Sequence, residues 1–329
     1  MIDGPLTTGD TIGSIPVKHL KRFWHKTMLK RAGKLPQDAF EDEWQMDKAA
    51  LAALGLGLEQ TFIYLFQQAP SFEQFEEWVL VTGCGPDINA IEAFNKNFAG
   101  EEVYADAVVP KVLNDEQLEF WDKNGYLILR NAISKEDCDK TIDVICEHIG
   151  IKRDDPATWY TLHSLRQGIM VQLFQNPVIE KNRQSVIIRQ AYEQLYNSTN
   201  IWINTDRVGF NPPETEKWKF PGPRLHWDTK LDLPIPYSLQ GILYLADTGE
   251  NQGAFSLVPG FQHKIDNWIT SLNGSNPYDE DLYALGCIPI AANAGDFIIW
   301  NQALPHGSSP NTSLKPRFVQ YFTYEPPKL

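Results

Sequence analysis

The chain has 329 residues, 43% of them hydrophobic and 22% charged, which is the profile of a globular protein with one large domain or two ordinary ones. A formal net charge of −13 argues against nucleic acid or an anionic membrane as partner, because both repel an acidic surface. No apolar run approaches the roughly 18 residues of a membrane span, the opening MIDGPLTTGDTIGSIPVKHL lacks the apolar centre of an export signal, and Cys84, Cys138, Cys146 and Cys287 form no CxxC pair. The expectation is a cytoplasmic protein with reduced thiols.

In chain order, residues 1–110 read as a helical N-terminal extension. The stretches FEDEWQMDKAALAALGLGLEQTFIYLFQQ (40–68) and SFEQFEEWVLV (71–81) carry apolar residues at three- and four-residue spacing, and Ser71 with Gln74 forms a capping-box pattern. GCGPD (83–87) then breaks the pattern. Nothing in this region has a catalytic signature, and three roles stand open for it: a surface for homo-oligomer formation, a lid, or a docking face for a carrier-bound substrate.

Residues 111–329 form a second unit. NDEQLEFWDKN reads as a short helix, Asn124-Gly125 as a turn and YLILRN (126–131) as a strand. SKEDCDKTIDVICEHIG follows as an amphipathic helix between an N-cap at Ser134 and a stop at Gly150. A less regular middle holds the helix NRQSVIIRQAYEQLYN (182–197). After residue 200 the pattern turns to short strands: IWINTDRVGF (201–210), RLHWDTK (224–230), YSLQGILYLAD (237–247), GAFSLVPG (253–260), GDFIIWN (295–301) and PRFVQYFTYE (316–325). Such strands at short intervals predict an antiparallel jelly roll with helices packed outside it.

On a strand, His226 and Asp228 project to one face and Trp227 to the other. Alone, an HxD pair is weak. His306 supplies a third donor, and two histidines with one carboxylate make a facial triad that leaves half of an octahedral ion open, the arrangement of non-haem Fe(II) oxygenases rather than of four-coordinate zinc. Such an enzyme draws electrons from a co-substrate. A 2-oxo acid chelates the metal at one end and needs a planar cationic fork for its far carboxylate. Arg317, 11 residues beyond His306 on the next strand, offers that fork, and Ser308, on the strand face of His306, offers a hydroxyl.

His226, Asp228, His306 and Arg317, with NQGAFSLVPGFQH, GDFIIWN and HGSSPN, resemble the phytanoyl-CoA dioxygenase-like family of Fe(II)/2-oxoglutarate-dependent oxygenases over about residues 113–326. The resemblance implies a double-stranded β-helix with iron at its mouth, held by His226, Asp228 and His306. It implies 2-oxoglutarate anchored by Arg317 and Ser308, with Gln240 as a further polar contact to the co-substrate. Halogenating relatives carry Gly or Ala at the position of Asp228, so Asp228 implies hydroxylation of a small-molecule substrate by O2. Two other readings remain: a jelly-roll binding protein without turnover, and a cupin-like metalloenzyme that does not use 2-oxoglutarate. For substrate contact the candidates are Arg207 and Trp227. The alternative for Arg207 with Asp206 is a solvated strand edge or a structural ion pair.

Overall fold

The computed structural model describes residues 4–83, 85, 87–101, 103 and 107–327. The N-terminal part is helical: α1 (Leu20–Arg31), α2 (Trp44–Ala52), α3 (Leu58–Gln68), α4 (Phe72–Thr82) and α5 (Ile88–Phe98). The apolar run 40–68 is interrupted where Gly55 takes φ +67°, a backbone state that stops α2 before α3 begins. The capping box of α4 is formed: Ser71 Oγ accepts from Gln74 N at 3.2 Å, and Gln74 Oε1 accepts from Ser71 N at 2.8 Å. Leu20, Leu51, Leu65, Phe75 and Phe94, one from each helix, meet in a single apolar core. Within GCGPD, Cys84 and Pro86 lie outside the described residues.

The next elements are α6 (Asp115–Asn124), β1 (Tyr126–Leu129), α7 (Lys135–His148), β2 (Arg166–Gln167), β3 (Met170–Val171), α8 (Pro177–Arg183) and α9 (Val186–Tyr196). Ser134 caps α7 by accepting from Asp137 N at 3.1 Å. The single helix expected over 182–197 is instead the end of one helix and all of another. Asn176 and Pro177 start α8 early, α8 stops at Gln184, and Ser185 opens α9.

The strands β4 (Trp202–Asn211), β5 (Leu239–Tyr244) and β6 (Phe255–Leu257) precede α10 (Ile265–Ser271), β7 (Ile288–Pro289), β8 (Phe297–Asn301), β9 (His306–Ser308) and β10 (Arg317–Glu325). They build a seven-stranded sheet in the order β1-β8-β5-β10-β4-β3-β2 and a three-stranded sheet in the order β7-β6-β9. From β4 onward the chain passes back and forth between the two sheets, which is the double-stranded β-helix. Side chains of β8 alternate strictly. Phe297 and Ile299 pack outward under α7, α8 and α9, whereas Ile298 and Trp300 point inward toward Leu257 of β6. Burial on both faces explains why FIIW is continuously apolar.

Two irregularities position the site. The expected strand 224–230 is not one: only His226 pairs, in a two-way bridge with His306 (His226 N to His306 O 2.9 Å, His306 N to His226 O 3.0 Å). Past the bridge, Ser308 N donates to Pro223 O at 3.1 Å, one residue off the Arg224 carbonyl that a continued ladder would use, so the register is lost there. Also, β4 carries one residue more than β10 between two paired positions. Val208 faces Gln320 and Thr205 faces Phe322, so Asp206 and Arg207 together oppose Tyr321 in a β-bulge. The N-terminal helices lean on the same strand, where Trp202 of β4 packs against their apolar core. No helix among the described residues is long and apolar enough to cross a membrane.

Candidate metal and co-substrate site

His226, on the bridged segment, and His306, on β9, face each other with ring centroids 4.8 Å apart. Each ring spends its Nδ1 on a backbone carbonyl, His226 on Arg224 O at 2.7 Å and His306 on Leu304 O at 3.0 Å. That fixes the tautomer and turns both Nε2 atoms toward the same point. Asp228 stands between them, Oδ1 at 3.2 Å from His226 Nε2 and Oδ2 at 3.2 Å from His306 Nε2. The three donors lie within 4.8 Å of one another, so a single ion can touch all three. Nitrogen and carboxylate donors on one side suit non-haem iron.

Burial alone would push the Asp228 carboxyl up, but hydrogen bonds from His226 and His306 outweigh it and hold the pKa well below the carboxylate range. Burial likewise disfavours charge on His226, yet Asp228 and the Arg224 carbonyl raise its pKa above the ordinary imidazole value. A metal must therefore displace a proton from His226. Apparent Fe(II) affinity is expected to rise about tenfold per pH unit below the His226 pKa and to level off above it. Titrations between pH 5.5 and 8 check this; an affinity that does not change with pH counts against His226 as a ligand.

Gln240 on β5 is committed at both ends: Nε2 donates to Asp228 Oδ2 at 2.6 Å, and Oε1 accepts from Trp300 Nε1 at 3.0 Å. Its place in the structure is that of a brace for the carboxylate. Ser308 lines the cavity in front of the triad. Trp227 does not. Its indole donates to Ala303 O at 3.0 Å and its ring packs with Phe261, Trp268 and Tyr278, so it anchors the bridged segment from behind, outside that cavity.

Arg317 begins β10 with its side chain on the inward face, alongside Val319 and Tyr321. It is fully buried, and none of its Nε, Nη1 and Nη2 atoms has an acceptor in hydrogen-bond geometry. Its charge is felt by Tyr244 and Tyr321, whose phenols burial raises and Arg317 lowers. A buried guanidinium costs several kcal/mol unless an anion meets it. The chemistry here fits the carboxylate of a metal-chelating 2-oxo acid.

The cavity has a volume of about 400 Å³, and its far wall comes from the N-terminal helical region, through Lys48, Leu56, Leu58 and Glu59. Sequence reading missed these four. Glu59 pairs with Arg207 (Nη1 to Oε1 2.6 Å) and Lys48 with Glu325 (2.6 Å). A second group with metal-like donors, His19, Glu43 and Asp47, is filled by an ammonium: Lys26 Nζ lies 2.9 Å from Glu43 and 2.7 Å from Asp47.

Residues 121–319 match the profile of the family described as Phytanoyl-CoA dioxygenase (PhyH). The chain belongs to the PhyH family. Enzymes of this family use Fe(II) and 2-oxoglutarate. The matched stretch contains the histidines, Asp228 and Arg317 and leaves α1 to α5 outside it. The chain is 26% identical over 261 residues to a Dictyostelium discoideum protein named "Putative phytanoyl-CoA dioxygenase", covering 63% of this chain and 74% of that one. It is 22% identical over 252 residues to the ectoine dioxygenase of Bordetella bronchiseptica, covering 68% and 78%. Among solved structures it is similar to EctD from S. alaskensis with bound Fe (TM-score 0.46, 16% identity, 68% and 79% covered). It is similar also to the epimerase SnoN in complex with Fe3+, alpha ketoglutarate and nogalamycin RO (TM-score 0.48, 15% identity, 64% and 83% covered).

Proposed function

We propose that this PhyH-family protein is an Fe(II)- and 2-oxoglutarate-dependent hydroxylase acting on an unactivated C–H bond of a small molecule, in the cytoplasm. The observation that carries the reading is Arg317, a fully buried guanidinium with three unmatched donors on the same inward face as the cavity-lining Tyr321. His226, Asp228 and His306 would hold the metal and Arg317 with Ser308 the far carboxylate of the co-substrate. Bound there, iron with 2-oxoglutarate supplies the oxidation in which O2 gives one oxygen atom to the substrate and one to succinate, with release of CO2. The chain's own part is orientation and exclusion of water. Gln240 holds Asp228 against rotation, Trp227 holds the segment that carries His226 and Asp228, and Leu56 and Leu58 add apolar wall to the cavity. Asp228 supports hydroxylation, because an oxygen donor takes the position that halogenating relatives leave open. We read residues 1–110 as a helical addition to the catalytic domain 111–329, with its own apolar core and a share in the cavity wall. The free thiols Cys138 and Cys146 are buried and pushed up to about 12 and about 11 by that burial, in keeping with a reducing compartment.

The test is anaerobic titration of the Fe(II)-loaded protein with 2-oxoglutarate, reading the visible charge-transfer absorption of a bidentate 2-oxo acid on iron. A saturating band is expected, followed by succinate formation once O2 and substrate are admitted. Bound iron without a band would mean a binding protein or a metalloenzyme that does not use 2-oxoglutarate.

A further inference from the structure

The β-bulge in β4 does more than bend the strand. In a regular strand Asp206 and Arg207 would point to opposite faces; with two residues set against Tyr321, both side chains reach the cavity. Apart from the metal ligands, the charged side chains lining that cavity are Lys48, Glu59, Asp206, Arg207 and Glu325. Lys48 pairs with Glu325, and Arg207 is shared between Glu59 and Asp206, so two cations meet three carboxylates and the group carries one surplus negative charge. Asp206 Oδ1 accepts from Arg207 N at 2.7 Å and Arg207 Nε at 3.1 Å, whereas Oδ2 makes no hydrogen bond among the described residues. Beneath the strand, Arg183 donates to the Asp206 backbone carbonyl at 2.5 Å and pairs with Glu180, so its side-chain cation is already engaged.

The Asp206 side chain is 46% exposed and belongs to the cavity wall, yet protein surrounds it closely enough that burial pushes the carboxyl up to about 6, against the Arg207 N–H and the Arg183 charge, which favour its ionised form, and with a smaller push from Asp228. It is still ionised at neutral pH. Around it stand Leu56, Leu58, Met170 and Phe174, an apolar lining for a hydrocarbon body. We infer that Asp206 is the recognition group for a cationic centre of the substrate, an ammonium on an aliphatic skeleton, and that the bulge exists in this strand to aim it. This rests on the oxygenase reading only for what happens to the substrate afterwards; the recognition itself is a property of the cavity.

Calorimetric titration of the protein loaded anaerobically with Fe(II) and 2-oxoglutarate tests it, with n-hexylammonium, n-hexanoate and n-hexanol as probes. Hexylammonium is expected to bind roughly tenfold or more tightly than hexanoate, the scale of one charge-assisted hydrogen bond, and Asp206→Asn, which keeps the shape, is expected to erase the preference. Hexanoate binding as well as hexylammonium in the wild-type protein overturns the inference whatever the variant does. So does a preference that survives in Asp206→Asn. Because heat reports binding without turnover, the preference is scored whether or not the charge-transfer band forms in the same samples. A missing band fails the oxygenase reading alone, and a missing preference beneath a normal band fails this inference alone.

Discussion

Arg317→Met is expected to weaken 2-oxoglutarate binding by about 10²-fold or more while leaving the ligand-free protein as stable as the wild type, or more so. The first half follows from the fork: two parallel charge-assisted hydrogen bonds to a carboxylate, each contributing about 1.5–3 kcal/mol, are lost together. The second half is the unusual one. Truncating a fully buried side chain ordinarily destabilises, but this guanidinium has no anion and no acceptor in good hydrogen-bond geometry, and the neutral Tyr321 phenol beside it offsets only part of its desolvation. Methionine is unbranched and fills similar space without the charge. Melting curves with and without the co-substrate separate the two effects. Wild type should gain stability as 2-oxoglutarate is added, in proportion to the logarithm of its concentration, and the variant should start at least as high and gain nothing. A variant that melts lower and still responds to 2-oxoglutarate would remove Arg317 from the site.

Asp228→Ala is expected to abolish turnover and lower Fe(II) affinity by about 10²-fold or more, since loss of even an outer partner costs up to that much and this is the anionic donor of the proposed ligand set. A signature independent of activity comes from His226. Asp228 raises its pKa together with the Arg224 carbonyl, so in the variant the imidazole should titrate lower, which NMR of the ring protons reads directly. The sign for stability follows. A raised His226 pKa stabilises the metal-free fold below the unfolded value of about 6.5 and ceases to do so as pH rises through the folded value. A depressed Asp228 pKa stabilises it above about 3.9 and ceases to do so as pH falls through the folded value. The metal-free variant should therefore lose more stability near pH 5, where both parts are present, than at pH 8, where the His226 part is gone and the Asp228 part remains. An equal loss at both would mean that the carboxylate and the imidazole are not coupled.

The candidate donor set was legible because it depends on residue type and order: an HxD and a distant His, which the fold brings within 4.8 Å of one another, and an Arg beyond them, which it buries. The β-strands were legible because alternation and turn residues are local signals. The segment 224–230 was the exception, read as a strand although its backbone is paired only at His226; the side chains still diverge as on a strand because Trp227 is held from behind by Phe261, Trp268 and Tyr278. The split between α8 and α9 was hidden by apolar spacing that runs on across Ser185. The wall formed by Lys48, Leu56, Leu58 and Glu59 left no local trace, because its partners Glu325 and Arg207 are 277 and 148 positions away. Asp206 and Arg207 were visible as residues but their common direction was not, since a bulge is a mismatch between two strands and neither strand alone contains it.

The bridge between His226 and His306 has a consequence for the order in which the molecule comes into being. During synthesis at roughly 5–20 residues per second, the HxD segment emerges many seconds before the strand that completes it, and Arg317 follows later still. Until then the nascent chain presents an incomplete donor set with little hold on iron. The closing contact, Lys48 with Glu325, joins helices made at the outset to the end of β10. The donor set and the wall in front of it are thus completed by the same last stretch of chain, His306 first and Tyr321 to Glu325 directly after it.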